Sequence, residues 1–176
     1  MHKYGMYVGR FQPFHKGHYE VVLRALEECE HLIIVIGSAQ EEGTEKNPFS
    51  FELRERLIRR ALRGKAERVT IIGVNDRPTI SDDSSWGAYL LGQVYGHLGV
   101  MPTISFEGIE EIRSHWFDGI EITRCLIDRN VMPISATLVR KALKEDNFYD
   151  YSKAMPTGCW FNYSELRKRI GEIKCD

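Results

Sequence analysis

Apolar residues in this chain gather in short dense runs, and between the runs they recur every three or four positions. Tyr4–Val8, Leu32–Ile36, Val69–Val74, Thr103–Phe106 and Ile120–Leu126 are rich in β-branched and aromatic residues. Runs of that length predict strands. Their lack of strict alternation predicts strands covered on both faces, as in a parallel sheet. Helical spacing fills the intervals. Gly17–Cys29 sets Val21, Val22, Ala25, Leu26 and Cys29 along one side. Phe51–Arg63 follows Ser50, a suitable N-cap, and stops at Gly64. Ser84–Leu98 closes at Gly99, Ser135–Lys144 groups Leu138, Val139, Ala142 and Leu143, and Tyr163–Ile173 is the last helix. Alternating strands and helices predict an α/β fold with a doubly wound parallel sheet. In such a sheet ligands bind beyond the carboxyl ends of the strands, at the switch point.

The chain shows no internal repeat, low-complexity tract or long linker, so residues 1–176 are expected to form one domain. Residues 147–176 are expected as a helical C-terminal extension of it. That extension is rich in aromatic side chains, and the pattern leaves open whether they pack on the sheet or form a subunit contact. A formal net charge of −1 argues against a nucleic-acid-binding field or a polybasic membrane anchor. The longest apolar run is too short to span a bilayer, and no signal-peptide pattern opens the sequence. Cys29, Cys125, Cys159 and Cys175 are widely spaced, with no metal-binding pattern. Reduced thiols and a cytoplasmic location are expected.

Chemistry concentrates in three stretches. Gly9-Arg10-Phe11-Gln12-Pro13-Phe14-His15-Lys16-Gly17-His18 lies between the first strand and the first helix. A glycine-bearing turn there aims helix N–H groups and the positive dipole end at a phosphate, and two histidines add side-chain donors. Gly37-Ser38-Ala39-Gln40, with Thr44 and Asn47-Pro48-Phe49-Ser50, follows the second strand. Its small and amide residues let a ligand approach the backbone, although an ordinary strand-to-helix loop bearing surface arginines would have the same composition. Ile134-Ser135-Ala136-Thr137-Leu138-Val139-Arg140 sets two hydroxyls at a helix start, with an arginine a little over one turn on. It suits a second anion, but equally an ordinary Ser N-cap beside a solvated Arg140–Lys141 pair.

Together these stretches resemble the nicotinamide-mononucleotide (NMN) adenylyltransferases of the HxGH nucleotidyltransferase superfamily, in their archaeal form. GRFQPFHKGH is similar to the first motif of that family, SAQ with T-x-x-NPF-S to its second-strand region, and ISATLVR to its signature ISxTxxR. Ser85-Trp86-Gly87-Ala88-Tyr89 is similar to its Trp-x-x-Tyr segment. Gly43 departs from the pattern, standing where many such relatives carry His, and the Asp76–Trp86 connection looks longer than theirs.

The resemblance implies a Rossmann-like fold and the reaction ATP + NMN → NAD⁺ + pyrophosphate, with Mg²⁺ bridging the triphosphate and no metal ligand from the protein. It assigns His15, His18 and Arg140 to catalysis. Gly9, Arg10, Phe11, Gly17, Arg54, Ser135 and Thr137 would hold ATP. Ser38, Gln40, Asn47, Trp86 and Tyr89 would hold NMN, with Trp86 stacking on the nicotinamide or else serving as a core residue of its helix. It also implies a homo-oligomer. The alternatives are a sister enzyme using another acceptor (nicotinate mononucleotide, phosphopantetheine) or CTP, and a non-catalytic nucleotide sensor. The intact motif residues argue against the sensor.

Overall fold

The computed structural model describes residues 1–77, 84–108, 115–128 and 133–173. Five strands, β1 (His2–Gly9), β2 (Cys29–Ile36), β3 (Val69–Gly73), β4 (Ile104–Gly108) and β5 (Thr123–Ile127), form one sheet in the order β3-β2-β1-β4-β5. Every pairing is parallel. The chain runs outward from β1 through β2 to β3, then returns to the other side of β1 as β4. The switch point therefore lies at the carboxyl ends of β1 and β4.

Helices α1 (Lys16–Glu28), α2 (Phe51–Ala61), α3 (Ser84–Leu98) and α4 (Ala136–Lys144) fall where the periodicity placed them. Strand alternation sends Tyr7, Leu32, Ile34 and Ile36 to one face, where they meet Val21, Val22 and Ala25 of α1 and Ile58 of α2. Met6, Val8, Ile33 and Val35 face the other way, toward Leu90, Leu91 and Val94 of α3. With both faces covered, the strands read as unbroken apolar runs. At Gly87 the fold requires glycine: a Cβ there would lie 1.8 Å from the Trp116 carbonyl oxygen, so α3 seats directly on the segment before β5.

The structure departs from the expected elements at β5 and in the tail, among smaller shifts at other element ends. β5 begins three residues later than the apolar run Ile120–Leu126 suggested, because Ile120 and Ile122 pack against the α3-side core before pairing starts. The tail holds a helix absent from the periodicity reading, α5 (Phe148–Ala154), ahead of α6 (Tyr163–Gly171). Asn147 caps α5, its side chain accepting from Asp150 N–H. The tail's buried residues lie outside the two clusters that cover the sheet. Tyr151, Ala154, Met155, Cys159, Leu166 and Ile170 join a third cluster with Leu53 and Leu57 of α2 and Val139, Ala142 and Leu143 of α4. Asp82 and Asp83, in the connection expected to be long, lie outside the described residues. Among the described residues no helix is long and apolar enough to cross a membrane.

Candidate active site

β1 delivers the chain at Gly9 into a turn whose shape is set by packed rings. Phe11 takes φ 52°, in the left-handed region, which costs a non-glycine residue about 1–3 kcal/mol. Its buried ring lies 5.4 Å from Tyr7 and 5.0 Å from His18, edge-on to both, and this packing holds the strained residue. Gln12 then fastens the turn to the loop before α2. Its amide N–H donates to Phe49 O at 3.0 Å, and its amide oxygen accepts from Phe49 N–H at 2.9 Å.

His15 is the N-cap of α1, and His18 is its third residue. Gly17 N–H donates to His15 Nδ1 at 3.1 Å, and His15 N–H donates to His18 Nδ1 at 3.2 Å. The arrangement is a reciprocal capping box with imidazoles in place of the usual hydroxyl and carboxylate. A ring nitrogen that accepts a hydrogen bond carries no proton. Both neutral rings are thereby held as the Nε2–H tautomer, which keeps Nε2 as a donor. The two rings stack with centroids 3.7 Å apart. Gly17 makes this possible, since a Cβ there would come within 3.0 Å of the His15 ring.

From the far end of the sequence, α4 brings Arg140 to the same turn. Its Nη1 donates to Gln12 O at 2.7 Å and its Nη2 to Thr137 Oγ1 at 3.3 Å. Ser135 caps α4, its hydroxyl oxygen accepting from Leu138 N–H at 3.2 Å. Burial first, and then the neighbouring Arg10 cation, draw the Arg140 guanidinium below its ordinary pKa, while Glu45 opposes them. Two guanidinium groups that repel each other beside a helix N-terminus form a site that an anion would relieve.

Arg54, expected among the ATP contacts, is held by the protein's own backbone. It is fully buried. Its guanidinium donates to Arg10 O at 3.0 Å, Gly37 O at 2.9 Å, Ser38 O at 3.0 Å and Ser50 O at 3.2 Å. Four carbonyls from the β1 turn, the β2 turn and the start of α2 are stapled by one side chain. Burial lowers its pKa to about 10, which leaves it cationic at neutral pH. These bonds fix the turn that carries Arg10 and join it to Ser38, which stands at φ 47°.

The second-strand loop contributes differently from residue to residue. The Gln40 amide is paired with Asp76, donating to the carboxylate at 3.3 Å and accepting from its backbone N–H at 3.1 Å, which ties the β2 and β3 loops together. Asn47 is buried, and its side-chain oxygen has no hydrogen-bond partner among the described residues.

Trp86 and Tyr89 stand at the start of α3, on the opposite face of the sheet from the imidazoles. Trp86 is half-buried, its face stacked on Trp116 with centroids 5.8 Å apart and its edge against Tyr89 at 5.3 Å. Tyr89 OH donates to Asn75 O at 3.0 Å, and the Arg77 guanidinium lies 5.2 Å from its ring centroid. The two groups of residues flank the carboxyl edge of the sheet, cations and imidazoles on one side and aromatics on the other.

Residues that sequence reasoning passed over also build this region. Gln12 lies inside the motif, but only the fold shows its amide replacing a strand's pairing with Phe49. Lys16 donates to Lys153 O at 2.7 Å in α5. Glu107 is a buried carboxylate at the end of β4, gripped by Arg124 through bonds of 2.9 and 3.2 Å. Its one sequence signal was an acid directly after an apolar run.

The chain is similar in sequence and fold to known proteins. A nicotinamide-nucleotide adenylyltransferase of Saccharolobus solfataricus is 40% identical over 86 residues, covering 49% of this chain and 50% of that relative. The chain thus matches about half the length of such curated relatives. A bifunctional NMN adenylyltransferase/ADP ribose pyrophosphatase from Francisella tularensis superposes with TM-score 0.82 at 24% identity, over 98% of this chain and 52% of that one. The same bifunctional protein complexed with AMP and manganese gives TM-score 0.75 at 25% identity, over 97% and 52% of the two chains. The profile described as cytidylyltransferase-like matches residues 6–142, from β1 through most of α4. The five-stranded sheet, the imidazole-capped turn and that match together establish that the chain belongs to the cytidylyltransferase-like family.

Proposed function

We propose that this protein is an adenylyltransferase that joins ATP and NMN to give NAD⁺ and pyrophosphate. The observation that carries this reading is the closure of the imidazole turn against α4, through Arg140 and the Gln12 carbonyl at 2.7 Å. It gathers stacked histidines and two guanidiniums at a helix N-terminus on one side of the carboxyl edge, with Trp86 and Tyr89 on the other. The names of the archaeal relatives agree with it.

The NMN phosphate is already ionised at neutral pH, its second pKa being about 6, so attack on the α-phosphorus of ATP needs no general base. It needs in-line alignment and neutralisation of the charge that grows on the departing pyrophosphate. The Nε2–H groups of His15 and His18 donate to the phosphates. Arg140 and Arg10, with Ser135 and Thr137, hold the outer phosphates. Gly9, Phe11 and Gly17 shape the turn so that the triphosphate can meet backbone N–H groups, and Arg54 holds that turn in place. Ser38, Gln40 and Asn47 line the approach of NMN, and the outer part of the Trp86 ring suits a cationic nicotinamide. Among the described residues no group of three or more His, Cys, Asp or Glu is placed to hold a metal. Mg²⁺ enters as part of the ATP substrate, on phosphate and water oxygens. Free thiols at Cys29, Cys125 and Cys159 fit a cytoplasmic enzyme. The exposed Phe148, Tyr149 and Phe161 offer a surface for a homo-oligomer.

The test is incubation with ATP and Mg²⁺ and either NMN or nicotinate mononucleotide, with dinucleotide and pyrophosphate measured. Dinucleotide from NMN is expected. None from either acceptor refutes the reading, dinucleotide from nicotinate mononucleotide alone reassigns the acceptor, and turnover with CTP but not ATP selects cytidylyl transfer.

A further inference from the structure

We propose that Lys16 is a positioning residue, through which the C-terminal helices hold the imidazole pair in register with Arg140; this rests on the reading that the turn and α4 grip ATP. Lys16 is the first residue of α1. A cation there faces the positive end of the helix, an unfavourable place unless it is compensated. The compensation comes from α5. Lys16 Nζ donates to Lys153 O at 2.7 Å and to Ser152 O at 3.5 Å, carbonyls of the last turn of that helix and so at its negative end. The Trp160 indole N–H donates to Ser152 O as well, at 3.1 Å, and to Met155 O at 3.2 Å. The carbonyl end of α5 is thus held from both sides.

The connection closes into a circuit. α5 carries Tyr151 and Ala154 into the same buried cluster as Val139, Ala142 and Leu143 of α4. Arg140, beside Val139, returns to the turn by its bond to Gln12 O. The path therefore runs from the turn to α1, across Lys16 to α5, through the third cluster to α4, and back to the turn. His18 and Arg140 come from opposite ends of the chain, and this circuit sets the spacing between them. The C-terminal helices then have a task beyond stability: they fix the width of the phosphate grip. Phosphoryl chemistry is sensitive to that width, since misplacement by about 1 Å can cost 10²-fold in rate.

The experiment compares wild type with Lys16→Met, which keeps the stem and removes the ammonium, and Lys16→Arg, which can still donate to two carbonyls. In Lys16→Met we expect kcat to fall about tenfold, with KM for ATP within about twofold of wild type, and Lys16→Arg to restore kcat. Incorporation of 5-fluorotryptophan adds a readout that needs no turnover. The Trp160 resonance, assigned with Trp160→Phe, should move when ATP–Mg²⁺ is added to wild type and not when it is added to Lys16→Met. Wild-type kcat in Lys16→Met overturns the proposal. So does a loss carried by KM for ATP, the mark of a direct phosphate contact, and so does a Trp160 resonance that ignores ATP in wild type or responds equally in the variant. If Lys16→Met fails to fold, Lys16→Gln carries the same readouts. A wild type that binds ATP and moves the Trp160 resonance, yet makes no dinucleotide, refutes the enzymatic reading and leaves the coupling standing.

Discussion

Replacing Arg54 by lysine separates a structural staple from a ligand contact. The guanidinium spans four backbone carbonyls, those of Arg10, Gly37, Ser38 and Ser50, and the residue is fully buried. Lysine keeps the charge but gathers its N–H donors on one atom, so the planar reach between the β1 and β2 turns is lost. Ser38 O and Ser50 O keep backbone donors in Glu41 N–H and Arg54 N–H, and the carbonyls at risk are those of Arg10 and Gly37. Each unmatched buried carbonyl costs about 1–3 kcal/mol, so losing one or two amounts to roughly 2–4 kcal/mol. In a chain of this size 1 kcal/mol moves Tm by about 2–4 °C, so Arg54→Lys should lower Tm by roughly 5–15 °C. The assay is thermal unfolding followed by circular dichroism without nucleotide, alongside KM for ATP well below the transition. A variant with wild-type Tm and only a raised KM for ATP would refute the reasoning, for that is how a phosphate-binding guanidinium behaves.

Other expectations follow from the same geometry. His18→Ala should lower kcat by about 10²-fold with a much smaller loss of ATP affinity, and near-wild-type kcat would exclude a phosphate donor at that position. Asn47→Leu removes a buried acceptor that has no partner among the described residues, so Tm should hold or rise while KM for the mononucleotide climbs about tenfold and KM for ATP stays put; a lower Tm with unchanged KM would mark the amide as structural. Burial pushes the Cys159 thiol from 9.0 to about 12. Because the folded value lies above the unfolded one, its contribution to stability is intact below pH 9 and is lost as pH climbs toward 12. Urea unfolding across that range should show a shallower alkaline decline in Cys159→Ala, and equal slopes would contradict the assignment.

Much of the fold was legible because strands buried on both faces must be continuously apolar, and helices on a sheet must repeat at helical spacing. The site was legible where a motif is local: the turn, the capping residues and the α4 start are all contiguous. It was obscure where the decisive partner is remote. Arg54 reads as a free cation among α2's other arginines until four carbonyls from three segments are seen around it. Trp86 reads as an open stacking surface until Trp116 covers one face. α5 escaped detection because its residues face α4 and the segment after α5, and because a seven-residue helix offers too few turns for a period to show.

The sequence by itself determined the alternation of elements, the parallel sheet and the turn that leads into α1, since each depends on residues within a few positions of one another. The tertiary structure alone decided which cations remain available to a ligand, where the aromatic tail packs, and that Lys16 joins the two ends of the chain. Hydrogen-bond partners and burial at those points come from segments more than a hundred residues apart, such as Lys16 with Lys153 and Gln12 with Arg140. No local pattern encodes such contacts, because they form only when the sheet has set its carboxyl edge and the helices have closed over it.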